Sequence, residues 1–391
     1  MLDTVQTITM KTFLALFLFL AACASPAPTG EPAGPVTADP IGGGKQTRYL
    51  IETVAQGLDV PWAFAFLANG DLLFTERPGR VRIVEGGKLQ PDPVFTVPDV
   101  EPSGESGLMD ISLHPDFATN KYVYLAYAYE KDGRFVKVVR YTFDGKSLNE
   151  DKVVIDGIPA APNHAGTRAR FGPDGKLYVT TGDATKWDLA QDTSSLAGKI
   201  LRLNDDGSVP ADNPFVKNKA YRPEIYTLGH RNPQGIAWHP KTKIMFETEH
   251  GPSGFENRGG GADEVNIIEP GKNYGWPDIW GTKTKAGMEA PLLEYTPACA
   301  PASLMIYKGD KFPEFKGDLL FGCLAGTKVI RVKVDGKRVL GQQNLLRGNF
   351  GRIREVGESP EGFIYFSTSN KDGRGTPGDT DDRIIRLVPL E

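Results

Sequence analysis

Residues 172–180 are Gly-Pro-Asp-Gly-Lys-Leu-Tyr-Val-Thr, a tight turn followed directly by a strand. Proline fixes one backbone angle of such a turn and Asp and Gly tolerate the others, whereas Leu-Tyr-Val-Thr is typical of a buried strand. The same module of turn and strand recurs at intervals of roughly 40 to 80 residues. The other five copies begin at Ala68, His114, His239, Lys316 and Ser359.

This recurrence predicts an all-β fold, a six-bladed β-propeller with loops of varying length between its blades. A propeller buries both faces of each four-stranded blade and leaves few open edges, which suits a long chain without amphipathic helices. A seventh blade stays open if one copy of the module has diverged. A pair of β-sandwiches and a β-helix are the alternatives, and neither predicts one module repeated in this way.

The composition agrees with many short strands joined by tight turns. The 391-residue chain has 45 glycines, 30 prolines and a formal net charge of −4. Length alone allows two or three domains, but one large all-β domain of this size is also common. The mild acidity gives no reason to expect nucleic acid or an anionic membrane as a partner.

The N-terminal region has the features of an export signal. Lys11 precedes an apolar run at 13–22, which is shorter than a typical transmembrane span. The run ends in Leu-Ala-Ala-Cys, which resembles a bacterial lipobox, so we predict a signal peptide over 1–23 with a lipid anchor on Cys23. A plain signal peptide with an incidental cysteine is the alternative. Residues 24–46 are predicted to be a flexible tether to a propeller domain at 47–391, in the periplasm or cell envelope.

Export affects the interpretation of the two other cysteines. An oxidising compartment allows Cys299 and Cys323 to form a disulfide, since both flank strand-like runs in adjacent segments. Two unpaired, buried thiols are the alternative.

A histidine and an aspartate lie at the two ends of one predicted strand pair. His164 precedes the pair and Asp183 follows it, so both side chains can point into the central funnel. Histidine can accept an alcohol proton near neutral pH, and a carboxylate fixes its tautomer. A loop histidine with an aspartate that merely forms a turn is the structural alternative.

Several strings resemble the signature of the glucose/sorbosone dehydrogenase family, soluble quinoproteins that oxidise sugars with pyrroloquinoline quinone (PQQ) and calcium. The most specific are Gly-His-Arg-Asn-Pro-Gln-Gly at 229–235 and Asn-Tyr-Gly-Trp-Pro at 273–277. The resemblance extends from Tyr49 to Leu390. Further similar strings lie at 58–62, 106–108, 114–117, 162–168, 198–203, 263–266 and 352–354.

The resemblance implies an enzyme that oxidises the C1 hydroxyl of aldoses to lactones by hydride transfer to PQQ. It implies that His164 is the general base, that Asp183 holds it, and that Arg231 stabilises the negative charge that develops on the cofactor. It also implies cofactor contacts for Arg231, Asn232, Arg352 and Arg354.

Calcium and substrate positions are implied in the same way. The carbonyls of Gly251 and Pro252 would bind the calcium that clamps the cofactor, because calcium prefers oxygen ligands. Glu264 and Tyr274 match a second calcium site of some relatives, and a solvated glutamate with a packed tyrosine is the alternative there. Glu105 and Asn163 stand at positions that contact the substrate.

The chain departs from the family pattern at several positions. Ala325 stands where relatives have a lysine that contacts the cofactor, and Lys328 is expected on the opposite face. Glu105 replaces a glutamine and Asn163 an aspartate of some relatives. An insertion at 253–261 follows the Gly-Pro turn, and the region around Cys299 lacks an aromatic residue that stacks on the quinone in some relatives.

We therefore expect a PQQ- and calcium-dependent aldose dehydrogenase with two rivals. One rival is a calcium-dependent lactonase, for which Arg352 and Arg354 have little use. The other is a non-catalytic ligand-binding propeller, which the loss of the lysine at Ala325 would favour. The chain has no Cys-x-x-Cys-His haem motif, so electrons are expected to leave to a separate acceptor. A membrane contact is expected only through the lipid anchor.

Overall fold

The computed structural model of the chain describes residues 34–38, 40–41, 46–254, 259–346 and 348–390. The predicted signal peptide, Cys23 and most of the predicted tether lie outside these residues, so export and lipidation stay predictions. None of the described helices is long and apolar enough to cross a membrane.

The described residues form an all-β fold of six sheets, with the strand number and order of a six-bladed propeller. Two strands come first in the chain and belong to the last blade: β1 (Val36–Ala38) and β2 (Thr47–Ala55). Blade one contains β3 (Pro61–Phe66), β4 (Leu72–Glu76), β5 (Arg80–Glu85), β6 (Lys88–Leu89) and the short β7 (Phe95–Thr96). Blade two contains β8 (Leu108–Leu113), β9 (Tyr122–Glu130), β10 (Arg134–Phe143) and β11 (Leu148–Pro159), with α1 (Phe117–Asn120) between its first two strands.

The remaining blades follow the same antiparallel order. Blade three contains β12 (Ala169–Phe171), β13 (Leu177–Thr181), β14 (Lys199–Leu203) and β15 (Ile225–Leu228), with a 3-10 turn at Trp187–Ala190. Blade four contains β16 (Pro233–Trp238), β17 (Met245–Glu249), β18 (Asp263–Ile268) and β19 (Leu293–Tyr295). Blade five contains β20 (Met305–Ile306), β21 (Leu319–Cys323), β22 (Lys328–Asp335) and β23 (Arg338–Leu345), with a 3-10 turn at Pro313–Phe315. Blade six contains β24 (Ile353–Glu358), β25 (Ile364–Thr368) and β26 (Ile384–Pro389) together with β2 and β1.

The six sequence modules occupy equivalent positions in the six blades. Each module supplies the turn before the second strand of a blade, which is β4, β9, β13, β17, β21 or β25. In five of these strands every residue is buried, which accounts for the apolar residues that open each strand after its turn. The predicted fold and blade number are therefore confirmed.

The last blade joins the two ends of the folded chain. β2 pairs with β26 in register from Tyr49 opposite Pro389 to Ala55 opposite Ile384. β1 then pairs with β2, with Val36 opposite Tyr49, and Ala38 is buried. The range predicted to be a tether, 24–46, thus includes an edge strand of blade six, and this boundary needs correction.

One guanidinium group at the centre of the propeller contacts all the other blades. Arg168, just before β12, donates to the carbonyls of Gln234 (2.7 Å) and Ala302 (2.6 Å) in blades four and five. It pairs with Asp110 of blade two at 3.2 Å and with Glu355 of blade six. Its guanidinium carbon lies 4.4 Å from the ring centre of Trp62 in blade one. Arg168 therefore ties the first strands of the blades together.

We expect Arg168→Met to lower the free energy of unfolding by about 3 kcal/mol, because it leaves Asp110 and Glu355 with Arg170 as their one remaining cation and two buried carbonyls without a donor. Arg338→Met is the matched control, since Arg338 pairs with Asp335 at the exposed surface and should change stability by no more than about 0.5 kcal/mol. Denaturant unfolding of both variants measures the difference. A cost below about 1 kcal/mol for Arg168→Met would show that the hub is dispensable.

Candidate active site

A cavity of about 760 Å³ lies among the loops that enter the first strand and leave the second strand of the blades. These loops all lie at one end of the propeller, because the two strands are antiparallel. All the blades except blade one contribute residues to the cavity wall, including Glu105, His164, Arg231, Gly251, Ala325 and Arg352. Its size is that of a small-molecule site.

The predicted histidine and aspartate are in contact. His164 Nδ1 lies 2.8 Å from Asp183 Oδ1, and Asp183 is fully buried. Asp183 also accepts hydrogen bonds from Thr185 N and from Trp276 Nε1, each at 2.8 Å. A carboxylate in this position selects the tautomer with a proton on Nδ1 and a lone pair on Nε2. His164 itself lines the cavity, so it has the geometry of a base.

The backbone holds His164 in an unusual conformation. Its φ is +55°, a region that residues other than glycine rarely adopt. A Cβ on Gly182 would lie 2.0 Å from the His164 carbonyl oxygen, so only glycine fits beside it. The His164 amide donates to Glu105 Oε2 at 3.2 Å, and its carbonyl accepts from Ala184 N at 3.2 Å. Such strain is typical of functional positions.

Arg231 lies beside this pair in the cavity wall. Its Nη1 donates to the His250 carbonyl at 3.1 Å and its Nη2 to Ser253 Oγ at 3.2 Å. Its guanidinium carbon lies 5.4 Å from the ring centre of Trp276, the same tryptophan that binds Asp183. Trp276 therefore positions both the aspartate and the arginine. The sequence string 273–277 contains this tryptophan, but the pattern gave no sign of its partners.

Glu105 is a charged carboxylate held from several sides. Its Oε2 accepts from His164 N and from Asn232 Nδ2 (3.1 Å), and its Oε1 accepts from Arg374 Nη1 (2.9 Å). Burial raises its pKa, but protonated His250, protonated His164 and Arg374 together outweigh burial and lower the pKa to about 2. Arg374 also donates to Asn163 Oδ1 at 2.7 Å, so it joins both predicted substrate-binding residues.

The predicted cofactor residues differ in their exposure to the cavity. Arg352 lines it, whereas Arg354 is 1% exposed and stacks on Trp62 behind the wall. Both arginines meet the Asp372 carboxylate, at 2.8 Å and 3.6 Å. Burial raises the pKa of Asp372, but the charges of the two arginines lower it by more, so the net pKa is below its usual value.

Asn232 also lies behind the wall rather than on it. It is fully buried, and its Oδ1 accepts from Gly166 N at 3.0 Å. Its amide therefore braces Glu105 and the His164 loop. The resemblance implied a cofactor contact for Asn232, and from this buried position such a contact would be indirect, through Glu105 or the His164 loop.

The predicted calcium turn is anchored by a carboxylate. Gly251 N donates to Asp263 Oδ1 at 2.8 Å, and Asp263 Oδ2 accepts from Cys299 N and Ala300 N. Gly251 and Asp263 both line the cavity. The Pro252 carbonyl accepts from Gly261 N at 3.0 Å, so one of its lone pairs is engaged. Residues 255–258 of the insertion lie outside the described residues.

Glu264 and Tyr274 lie in a buried layer and not at the cavity. Glu264 accepts from Gly281 N (2.6 Å) and Asn266 Nδ2 (3.2 Å), and the Tyr274 hydroxyl donates to the Ile267 carbonyl (2.6 Å). Burial raises the pKa of Glu264 to about 8, and nearby Glu249 adds to this. Glu264 is therefore a satisfied, buried side chain, and the alternative of a solvated glutamate is wrong.

The two cysteines lie side by side as free, buried thiols. Both Cβ atoms would be 3.1 Å from a Cβ built on Gly326. The two side chains are close neighbours, and the disulfide between them stays a prediction. The neighbouring Ala325 lines the cavity from the turn between β21 and β22, where Lys328 does not reach it.

We expect Glu105→Gln to lower the free energy of unfolding by up to about 3 kcal/mol, the energy linked to a pKa that moves from 4.5 to about 2. Because the folded pKa lies below the unfolded one, this stability is present above pH 4.5 and is lost as the pH falls toward 2. Denaturant unfolding from pH 7 to pH 3 measures it, with the exposed Glu101→Gln as control. A deficit that stays constant over this range would contradict the assignment.

Comparison with known proteins identifies the family of the chain. Residues 58–385 match the profile of the family described as Glucose / Sorbosone dehydrogenase. An aldose sugar dehydrogenase of Escherichia coli is 36% identical over 343 residues, which are 83% of this chain and 91% of that protein.

Solved structures show the same relationship. An oxidoreductase of Thermus thermophilus described as a glucose dehydrogenase superposes with a TM-score of 0.80 at 44% identity, over 87% of this chain and 100% of that one. The PQQ-bound aldose sugar dehydrogenase of Streptomyces coelicolor gives a TM-score of 0.77 at 33% identity, over 92% and 100%. The chain therefore belongs to the glucose/sorbosone dehydrogenase family of sugar-oxidising enzymes.

Proposed function

We propose that the protein oxidises the C1 hydroxyl of aldose sugars to lactones with PQQ and calcium bound in the cavity. The observation that carries this proposal is the His164–Asp183 contact at 2.8 Å, with the other imidazole nitrogen available to the cavity beside Arg231. Family membership supplies the sugar and the cofactor, because the relative of known structure from Streptomyces coelicolor is bound to PQQ.

The cavity wall fits an anionic cofactor. Three guanidinium groups line it, from Arg231, Arg352 and Arg374, and a cofactor with several carboxylates can pair with such groups. Arg352 would share its guanidinium between a cofactor carboxylate and Asp372, which already pairs with it. The Gly251 turn with the nearby Asp263 carboxylate offers oxygen atoms suitable for calcium.

The residues around the substrate would have separate roles. When bound, PQQ with calcium would supply an electrophilic carbonyl as hydride acceptor, and a separate electron acceptor would be needed to reoxidise it. His164 Nε2 takes the proton of the sugar hydroxyl, and Asp183 stabilises the imidazolium that forms. Arg231 places a fixed positive charge where negative charge develops. Glu105 and Asn163, held by Arg374, offer polar contacts to the sugar hydroxyls.

We expect wild-type protein to bind PQQ in a calcium-dependent way and to reduce it when an aldose is added. His164→Asn should bind PQQ with unchanged affinity and reduce it about 10²- to 10⁴-fold more slowly, because the proton acceptor is lost. His239→Asn is the matched control, since His239 lies on the surface turn before β17 and outside the cavity. The absorbance of the quinone reports binding and reduction.

Two outcomes would favour the rival functions. Calcium-dependent hydrolysis of a lactone without PQQ binding would support the lactonase. Sugar binding without PQQ binding or turnover would support a ligand-binding propeller.

We expect Ala325→Lys to tighten PQQ binding about 10-fold, since a cation at this wall position adds roughly 1.4 kcal/mol of attraction to a carboxylate. Leu340→Lys adds the same charge to an exposed position of the same blade and should leave the affinity unchanged. The gain should shrink as salt is added. Equal affinities for wild type and Ala325→Lys would show that the alanine does not weaken the site.

A further inference from the structure

A second group of polar side chains lies buried in blade four, outside the cavity. Glu247 and Glu249 alternate on β17, and Glu264 and Asn266 face them from β18 in register. All four are at most 5% exposed. One buried face of two paired strands therefore carries polar groups where apolar side chains are usual.

His230 closes this group from the loop before β16. One ligand atom each from His230, Glu247 and Glu249 lies within 4.8 Å of the other two. His230 is fully buried, its Nδ1 lies 3.3 Å from Glu249 Oε2, and its Nε2 lies 2.9 Å from Thr227 Oγ1. In the tautomer with its proton on Nε2, His230 donates to Thr227 and its Nδ1 lone pair faces the glutamates, as in many metal-bound histidines.

Two buried oxygen atoms in this group lack a hydrogen-bond partner. They are Glu247 Oε1 and Asn266 Oδ1, although Asn266 Nδ2 donates to Glu247 Oε2 at 3.0 Å. Buried polar atoms without a partner point to a water molecule or an ion. No lysine or arginine side chain among the described residues forms an ion pair with Glu247, Glu249 or Glu264, so a bound cation would balance these carboxylates in their ionised form.

We propose that His230, Glu247 and Glu249 bind a divalent metal ion of the Mn²⁺ or Zn²⁺ class. The ligand set decides the class, because an imidazole nitrogen with two carboxylates suits these ions, whereas calcium takes oxygen ligands. This cation is distinct from the calcium proposed at the Gly251 turn.

The position of the site gives the cation a structural role. His230 immediately precedes Arg231, and Glu249 immediately precedes His250 and Gly251. Glu249 Oε2 also accepts from Arg231 N at 3.2 Å. A cation here joins the loop that carries Arg231 to the turn that carries Gly251, and so fixes one wall of the cavity.

The first test is the metal content of the wild-type protein, purified without chelator in the presence of excess CaCl₂. We expect about one Mn²⁺ or Zn²⁺ per chain by elemental analysis. Protein refolded without transition metal should gain about 5 °C in Tm when MnCl₂ or ZnCl₂ is present during refolding at about 100 times its Kd. Folded wild-type protein with neither metal nor such a gain, or a site that excess CaCl₂ empties, would overturn the proposal.

Variants locate the site. Glu247→Gln keeps the shape of the side chain and should abolish both the bound Mn²⁺ or Zn²⁺ and the gain in Tm. Glu355→Gln is the matched control, since it removes a buried carboxylate from blade six and should leave metal binding intact. Equal metal content in Glu247→Gln and wild type would overturn the assignment of ligands.

Discussion

The arrangement of the blades depends on the guanidinium group of Arg168. An arginine in a dry interior is costly unless each donor has an acceptor and its charge has a partner. Here the acceptors come from four blades and an aromatic face from a fifth, so the charge is satisfied only when all the blades are in place. The same contacts fix the first strands relative to each other. The loops at one end of those strands are thereby held around a common cavity.

The cavity inherits this rigidity through a chain of buried contacts. Asp183 binds His164, Thr185 and Trp276, and Trp276 in turn lies against Arg231. Each side chain has little freedom, because its polar atoms are already engaged by a neighbour. A base and a cation held in this way need no rearrangement when charge develops nearby, which is the main advantage of a preorganised site. The exposed Arg374 is the contrast, since half of its side chain is in contact with solvent.

The sequence predicted the parts of the fold and site that depend on local patterns. The six turns identify the second strand of each blade, and one strand pair brings His164 and Asp183 together across only 19 positions. Contacts between distant segments were not predictable. Arg374 meets Glu105 across 269 positions, and nothing near either residue signals the other. Strand alternation alone does not show that Arg354 and Asn232 lie behind the cavity wall, because that depends on which blade packs against them.

Local composition also misled in one place. The segment 24–46 has too few apolar residues to fold by itself, yet Val36–Ala38 gains its hydrogen bonds from a strand that is already present. An edge strand of this kind needs a neighbour more than it needs a hydrophobic face.

Closure of blade six makes the order of folding matter. β2 cannot form its ladder until β26 exists, and the paired residues Tyr49 and Pro389 lie at opposite ends of the chain. Closing so long a loop is entropically costly and slow, so the ring should shut last, after the inner blades have formed. Until then the outer edge of β26 and the edge of β2 that faces it are unpaired and able to join another chain. The molecule is therefore most vulnerable to aggregation just before its folding is complete.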